Sequence, residues 1–217
     1  MLSSTIEEYL EAIFRLQEHH RPVSTSELAR HLNVSAPSAT DMIKKLARRK
    51  LVHYQPYYGI TFTPKGRKEA VRLVRRHRLS ERFLTDILGL GWDEVHNEAC
   101  RFEHVLSKNV ENRLDKTLGK PKTCPHGNPI PSLKGKVVEK AVTRLSSLKP
   151  KEKGTIAKIT EESPKLLRYL ASLGLMPEVA VQVQEVAPFG GPSLIKLKGA
   201  SYALGRDVSD RIWVHKK

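Results

Sequence analysis

Two short helical patterns near the amino terminus, separated by about three residues, constrain the fold more than any other feature of the chain. In "VSTSELARHL", Ser24 and Glu27 fit a capping box, and Leu28 and Leu32 supply an apolar stripe. In "NVSAPSATDMIKKLARRKLV", Ser35 is placed to cap a second helix with its own apolar face. This spacing is typical of a helix-turn-helix, in which the second helix enters the major groove of DNA.

The second of these helices carries polar side chains where a DNA-reading helix needs them. Its exposed face mixes small polar groups near the start with lysine and arginine near the end. The start of such a helix can read base edges, and cations near its end can hold phosphates. The residues predicted to contact DNA are Ser35, Pro37, Ser38, Asp41, Lys44, Lys45 and Arg48.

The segments on either side complete the pattern of a winged helix-turn-helix. Residues 4–19 carry Ile6, Leu10 and Ile13 at the spacing of an amphipathic helix. The stretch "LVHYQPYYGITFTPKG" holds two β-type runs around a turn, which predicts a hairpin, and Thr63 with Pro64 begins another helix. These features favour DNA binding, and the alternative is a winged helix that only mediates protein contacts.

The positive charge is concentrated in one part of the chain. The formal net charge is +15, from 38 Lys+Arg against 23 Asp+Glu, and residues 41–82 hold 13 Lys/Arg against three acids. A localised excess of this kind is expected of a protein that binds a polyanion. A solvated basic surface that merely aids solubility is the alternative interpretation.

Hydropathy and cysteine usage indicate the compartment. No apolar run approaches the roughly 18 to 20 residues needed to cross a bilayer, and the first residues lack the pattern of a signal peptide. We therefore expect a cytoplasmic protein with no membrane partner. In a reducing cytoplasm, Cys100 and Cys124 are expected to be free thiols or metal ligands rather than a disulfide.

The rest of the chain predicts two further domains. Helical patterns over 64–88, 92–106 and 107–119 carry more apolar surface than a winged helix needs, which predicts a helical dimerisation domain and a homodimer that matches a palindromic DNA site. After residue 154, short β-type runs predict a five-stranded SH3-like β-barrel. The fold class is mainly α with small β parts, with domains at 1–72, 73–140 and 154–217 and a linker at 141–153.

The segment "VHNEACRFEH" concentrates side chains that bind metal ions. On an ideal helix, His96, Cys100, Glu103 and His104 fall within about 100° of one another. Imidazole, carboxylate and a single thiolate suit a first-row divalent ion, whereas four thiolates would indicate structural zinc. A metallohydrolase with Glu103 as general base is an alternative, although no second catalytic constellation accompanies it.

Four stretches carry a resemblance to a known family. "HRLSERFLTDILGL", "VHNEACRFEHVLS" and "HGNPIP" resemble the iron- and manganese-dependent repressors typified by the diphtheria toxin repressor, and "YALGRDVSDRIWV" is similar to their FeoA-type SH3-like domain. The resemblance covers nearly the whole chain. It implies a principal metal site of Glu8, Cys100, Glu103 and His104, and an ancillary site of His77, Glu81 and His96.

The chain mixes two patterns of that family. Iron-responsive members typically have Met where this chain has Glu8, and manganese-responsive members have an acid there, often a second carboxylate matching Glu11, and an acid in place of Cys100. Some manganese members also recruit Cys and His from the loop, which makes Cys124 and His126 candidates for the ancillary ion. Glu161 or Glu162 is a further candidate. The metal, Fe(II) or Mn(II), therefore stays open, and Zn(II), Co(II) or Ni(II) is expected to substitute in vitro.

Ordinary structural roles compete with metal binding at some of these positions. His77 and Glu81 could form a simple i, i+4 helix pair, and Cys124 could be a buried thiol. The function predicted is a metal-dependent transcriptional repressor of iron or manganese homeostasis, not an enzyme, in which the divalent ion is the corepressor that locks the dimer for operator binding. A constitutive DNA-binding protein with a structural metal is the alternative.

Overall fold

The computed structural model describes residues 2–18, 22–138, 141–160 and 163–217. The chain forms two compact units. The first comprises the chain up to Arg76 together with Pro131–Lys136, and the second comprises His77–Ile130 and Val137–Lys217. The boundary falls within one long helix. The domain limits drawn from the sequence stay predictions.

The first unit is a winged helix-turn-helix. It contains α1 (Ser4–Gln17), α2 (Thr25–His31), α3 (Ala36–Arg48), β1 (Val52–Gln55), β2 (Gly59–Phe62) and the start of α4 (Pro64–Asp86). The predicted capping box is present, because the Ser24 side chain accepts from the Glu27 amide and the Glu27 side chain accepts from the Ser24 amide. The Ser35 hydroxyl likewise accepts from the Ser38 amide. The local sequence thus fixes both helix starts.

The wing is a two-stranded hairpin extended by one bridge. Strands β1 and β2 pair antiparallel from Val52↔Phe62 to Gln55↔Gly59, and Val23 exchanges backbone hydrogen bonds with Ile60. Tyr57 adopts a positive φ of 66° in the turn, and its side chain is exposed. The predicted hairpin is therefore confirmed.

The first turn of helix α4 packs against the backbone of Lys50 and Leu51, just before β1. The Thr63 hydroxyl accepts from the Gly66 amide at 3.0 Å and donates to the Lys50 carbonyl at 2.7 Å. A β-carbon on Gly66 would lie 1.7 Å from the Leu51 carbonyl oxygen. Only glycine allows this close approach of the two backbones.

The second unit begins with the remainder of α4, followed by α5 (Val95–Phe102), a short 3₁₀ turn (Glu103–Val105) and α6 (Lys108–Thr117). The predicted helix over 92–106 is therefore too long, since the chain tightens at Glu103. His96, Cys100, Glu103 and His104 therefore do not share one face of a single α-helix, because Glu103 and His104 follow 3₁₀ geometry.

The carboxyl-terminal part of the second unit is an antiparallel sheet, as the SH3-like prediction requires. Its strands are β3 (Thr143–Arg144), β4 (Lys153–Ile159), β5 (Ala180–Val186), β6 (Ser193–Leu197), β7 (Ala200–Leu204) and β8 (Ile212–Lys216), in the order β3-β8-β4-β5-β6-β7. Helices α7 (Pro164–Ser172) and α8 (Arg206–Ser209) lie between strands in the sequence. The sheet has six strands rather than the five predicted, because Thr143–Arg144 pairs with β8.

The core of the sheet includes residues from outside its strands. Leu145 and Leu148, from the segment predicted to be a linker, are buried in this core, and so is Trp92 from the loop before α5. Trp92 therefore connects the helical part of the second unit to the sheet. Within the described ranges, no helix is both long and apolar enough to span a membrane.

A turn at Cys124–Asn128 lies along β4. The Cys124 amide donates to the Asn128 carbonyl and the Gly127 amide donates to the Cys124 carbonyl, both at 2.9 Å. The Ile159 amide donates to the His126 carbonyl at 2.9 Å, and the Asn128 side chain donates to the Ile159 carbonyl at 3.2 Å. We call residues 124–128 the ligand turn, since it carries Cys124 and His126.

Candidate metal centre

Helix α4 places His77 and Glu81 one turn apart on the same face. Both side chains are fully buried, and His77 Nε2 lies 3.0 Å from Glu81 Oε1. His77 Nδ1 lies 2.7 Å from Oε2 of the buried Glu103. Ionised carboxylates only accept hydrogen bonds, so His77 satisfies both acids when each ring nitrogen carries a proton. A surface i, i+4 pair would have neither this burial nor a second carboxylate.

His96 and Cys100, one turn apart on α5, lie beside His77. Cys100 Sγ is 3.7 Å from His96 Nε2 and 4.0 Å from His77 Nδ1, and His96 Nδ1 is 3.1 Å from His77 Nε2. Burial acts to raise the pKa of the Cys100 thiol, but hydrogen bonds from His77 and His96 outweigh it and lower the pKa to about 6. The thiol is therefore largely a thiolate near neutral pH, which is the form that binds metals.

A second group of donors forms where the ligand turn meets α4. One potential ligand atom each from Glu81, Cys124 and His126 lies within 4.8 Å of the other two, and all three residues are buried. The distance from His126 Nδ1 to Glu81 Oε1 is 3.4 Å. His126 Nε2 donates to the Trp92 carbonyl at 2.7 Å, which orients the ring with Nδ1 toward Glu81.

Glu81 is held as a carboxylate in this interior. Burial acts to raise its pKa, but the charge of His77 and the hydrogen bond from His126 outweigh burial and hold the pKa well below its ordinary value. Its second oxygen, Oε2, is buried and has no hydrogen-bond partner in the part of the chain that the structure describes. A buried carboxylate oxygen without a donor is costly, and a cation would remove that cost.

The other predicted ligands are distributed as follows. His104 is partly exposed, and its Nε2 lies 3.9 Å from Glu103 Oε1. In the first unit, Glu8 is exposed on α1, and the buried Glu11 pairs with Arg15 at 2.9 Å. Glu161 and Glu162 lie outside the described residues. The structure thus groups Cys100 with His77 and His96. The resemblance instead implied that Cys100 belongs to the principal site and that His77 and His96 belong to the ancillary site.

Two arginines in the basic stretch 41–82 are buried and have a structural role, which the sequence analysis did not predict because it counted them as surface charge. Arg78 donates to the Pro129 carbonyl at 2.7 Å, and Arg75 donates to the Pro131 carbonyl at 2.6 Å. Arg78 is only 3% exposed, so its charge is not available to a polyanion. The hydrogen bond from Arg78 instead joins Pro129, the residue after the ligand turn, to helix α4, which carries Glu81. Sequence pattern could not reveal this, since arginine has the same charge at the surface and inside.

The residues predicted to read DNA lie at the surface of α3 and its cap. All seven are exposed: Ser35, Pro37, Ser38, Asp41, Lys44, Lys45 and Arg48. The opposite face is buried through Ala39, Ile43 and Leu46. The helix therefore presents its polar side outward in the first unit, as a groove-reading helix must.

Comparison with known proteins agrees with this arrangement. Three family models match in succession: "Iron dependent repressor, N-terminal DNA binding domain" over residues 1–60, "Iron dependent repressor, metal binding and dimerisation domain" over 63–132, and "FeoA domain" over 143–216. The iron-dependent repressor IdeR of Mycobacterium leprae is 34% identical, and the alignment covers 99% of this chain and 98% of that protein. The chain belongs to the iron-dependent repressor family.

Solved structures of metal-dependent repressors are similar to this chain over nearly its whole length. A manganese-dependent transcriptional repressor in complex with manganese has a TM-score of 0.92 at 38% identity, and the match covers 98% of this chain and all of that one. IdeR of T. acidophilum has a TM-score of 0.85 at 30% identity over 100% of both chains. The diphtheria toxin repressor of Corynebacterium diphtheriae is 42% identical over 61% of this chain and 58% of that protein.

The donors present fit the divalent metal that this iron-dependent repressor family implies. Imidazole nitrogen, carboxylate oxygen and thiolate sulfur are ligands of first-row divalent ions, and His126 has the carbonyl partner that usually orients a ligating histidine. The buried, unsatisfied Oε2 of Glu81 is a further place for a cation. The two donor groups contain His77, Glu81, His96, Cys100, Cys124 and His126, and the buried Glu103 and the neighbouring His104 are further potential ligands in the second unit.

Proposed function

We propose that the protein is a divalent-metal-dependent transcriptional repressor that binds double-stranded operator DNA as a homodimer, with Fe(II) or Mn(II) as corepressor. The observation that carries the proposal is the largely buried imidazole, thiol and carboxylate cluster around Glu81, in a chain that also presents an exposed recognition helix. The protein acts by binding rather than by turnover, and the DNA partner implies a cytoplasmic location.

The apolar surface of the second unit supports the homodimer. Ile87 and Leu88, in the turn that follows α4, are 55% and 56% exposed, and Val105, in the 3₁₀ turn, is 76% exposed. Exposed large aliphatic side chains are the kind of surface that protein–protein contacts bury. Two copies joined by a two-fold axis would present two recognition helices to the two halves of a palindromic operator.

The metal dependence follows from what the cluster requires. Without metal, the buried carboxylates of Glu81 and Glu103 are neutralised only by hydrogen bonds to histidines. A bound divalent cation would supply the positive charge and would fix the positions of its ligand atoms. His77, Glu81 and Glu103 are buried together, so their arrangement changes with the charge balance among them. Any ion with higher affinity for the DNA-competent arrangement shifts the population toward it. Glu8 and Glu11 stay predicted ligands from the first unit.

The proposed function is tested by operator binding with and without metal. At fixed salt, chelation is expected to lower operator affinity by on the order of 100-fold, within the usual range of allosteric coupling. Gel-shift titrations under anaerobic conditions with Mn(II), Fe(II) and Zn(II) would measure this and rank the metals. Operator affinity unchanged by chelation would support a constitutive DNA-binding protein with a structural metal. Metal-dependent turnover of a phosphoester would instead support a hydrolase.

Replacing Lys45 with alanine is expected to weaken DNA binding through the loss of one phosphate contact. The side chain is exposed on α3, and the dependence of log K on log salt should fall by about one unit of slope. The measurement is metal-saturated operator affinity across a salt series. Lys196→Ala, an exposed lysine on β6, is the matched control and should leave the slope unchanged. An unchanged slope in Lys45→Ala would remove Lys45 from the DNA interface.

A further inference from the structure

A bulge in β4 turns Lys158 toward the outer face of the carboxyl-terminal sheet. Ile156 of β4 lies opposite Val214 of β8, and both are buried in the core of the sheet. The next pair along the two strands is Lys158↔Trp213, because Ala157 forms the bulge. Opposite residues on antiparallel strands point to the same face, and the bulge shifts the alternation by one position. Lys158 and Trp213 therefore share the outer face rather than the core face.

The outer side of three adjacent strands, β3, β8 and β4, is basic. We call its outward positions the basic face: Arg144 on β3, Trp213 and His215 on β8, and Lys153, Thr155 and Lys158 on β4. No Asp or Glu occupies an outward position on these strands, all of whose residues the structure describes. Glu152, which precedes β4, is paired with Lys216 at 2.7 Å. The positive charge of the basic face is thus not balanced within it.

Two cations of the basic face share one aromatic ring. The centre of the Trp213 ring lies 5.3 Å from Cζ of Arg144 and 5.7 Å from Nζ of Lys158, within the range of cation–π attraction. Lys158 is only 9% exposed, and neither it nor Arg144 forms an ion pair with any described residue. Lysine is rarely buried this far without a paired charge, and two cations beside one ring repel each other. A bound anion would offset both costs.

The spacing of the cations suits a repeating anion better than a single small one. Lys153, which is exposed, lies on the same strand as Lys158, about 15 Å away along an extended chain. Double-stranded DNA carries one negative charge per roughly 1.7 Å of its axis, and its major groove is about 12 Å wide. Cations at this separation can hold phosphates on both walls of the groove, and the fork of Arg144 matches a phosphate with two hydrogen bonds. The chain already matches a DNA-binding domain over residues 1–60, which favours DNA as the polyanion.

We propose that the basic face is a second contact surface for the phosphate backbone of double-stranded DNA. The inference rests on the proposed function, since it takes DNA as the partner, but the contact itself needs no metal. Phosphate contacts position a protein on DNA without reading its sequence. The basic face therefore adds affinity and salt dependence for any duplex rather than preference for an operator. Trp213 is a positioning residue that holds Arg144 and Lys158 side by side.

The double variant Arg144→Ala, Lys153→Ala tests the basic face and leaves the mostly buried Lys158 in place. With metal-free full-length protein and a duplex that lacks an operator, we expect the dependence of log K on log salt to fall by about two units of slope. Low-salt affinity should fall by on the order of 10-fold. Lys196→Ala, exposed on β6 two strands away from β4, is the matched control and should leave the slope unchanged. An unchanged slope in the double variant would overturn the proposal and favour an acidic protein as the occupant.

A measurement on the unmutated protein avoids any effect of these substitutions on folding. Lysine acetylation read by mass spectrometry compares Lys153 with Lys196, which are both exposed on the same sheet. Bound duplex is expected to slow the acetylation of Lys153 several-fold and to leave that of Lys196 unchanged. Protection of neither lysine, or equal protection of both, would exclude a DNA contact that is specific to the basic face.

Operator binding with and without metal separates this inference from the proposed function. Metal-dependent operator binding, together with an unaltered salt slope in the double variant, rejects the basic face alone. A lower slope in the double variant without any metal response in the unmutated protein rejects the metal-dependent repressor and leaves the basic face standing.

Discussion

Replacing His77 with alanine is expected to abolish metal-dependent operator binding and to destabilise the metal-free protein by about 3 kcal/mol. His77 lies between the buried carboxylates of Glu81 and Glu103, at 3.0 Å and 2.7 Å. Without the ring, two acids remain in the interior with one fewer compensating cation, which is more costly than the loss of a surface pair. The same change removes a proposed metal ligand.

The two effects of His77→Ala are separable by measurement. Urea unfolding of the metal-free protein reports the stability change, and operator binding with and without Mn(II) reports the metal response. His215→Ala, near the end of β8 and with its side chain partly exposed, is the control and should change stability by no more than about 0.5 kcal/mol. A His77→Ala protein that kept a normal metal response would exclude His77 as a ligand.

Replacing Gly66 with alanine is expected to cost about 3 kcal/mol or more in the stability of the winged-helix unit. The added β-carbon would lie 1.7 Å from the Leu51 carbonyl oxygen, so the start of α4 and the loop before β1 must move apart. That movement also breaks the hydrogen bonds that Thr63 makes with Gly66 and Lys50. The expected results are a lower unfolding midpoint and weaker operator binding even at saturating metal.

Gly205→Ala is the matched control for this substitution. Gly205 has a φ of −58°, and a β-carbon there meets nothing within 4 Å, so alanine at this N-cap of the short helix α8 should cost no more than about 0.5 kcal/mol. The Gly66→Ala and Gly205→Ala proteins differ from the parent by the same methyl group. Equal stability in both would show that α4 can move away from Leu51 without cost.

The winged helix was predictable because its signals are local. The capping box at Ser24 and the N-caps at Ser35 and Thr63 act over three residues, and the hairpin turn is read from neighbouring residues. The number of Lys and Arg residues in 41–82 overestimated the charge available to bind DNA, because Arg75 and Arg78 are buried and donate to backbone carbonyls. Net charge in a window does not distinguish a surface cation from an internal one.

The metal donors were predictable as residue types but not as groups. The spacing of His96 and Cys100 on one helix turn was visible, whereas the change to 3₁₀ geometry at Glu103 was not. The approach of His126 to Glu81 joins residues 45 positions apart, and it depends on a turn whose place is set by β4. Periodicity carries no information on such tertiary contacts.

The backbone hydrogen bonds between the ligand turn and β4 make the carboxyl-terminal sheet a scaffold for two of the proposed donors. The affinity for metal should then depend on the position of β4 as well as on the ligating side chains. Exchanging this FeoA-type module for that of a relative should retune the ion threshold even when every ligating side chain is retained. Evolution could therefore adjust the set point of such a sensor from a distance, through substitutions that never touch the ion.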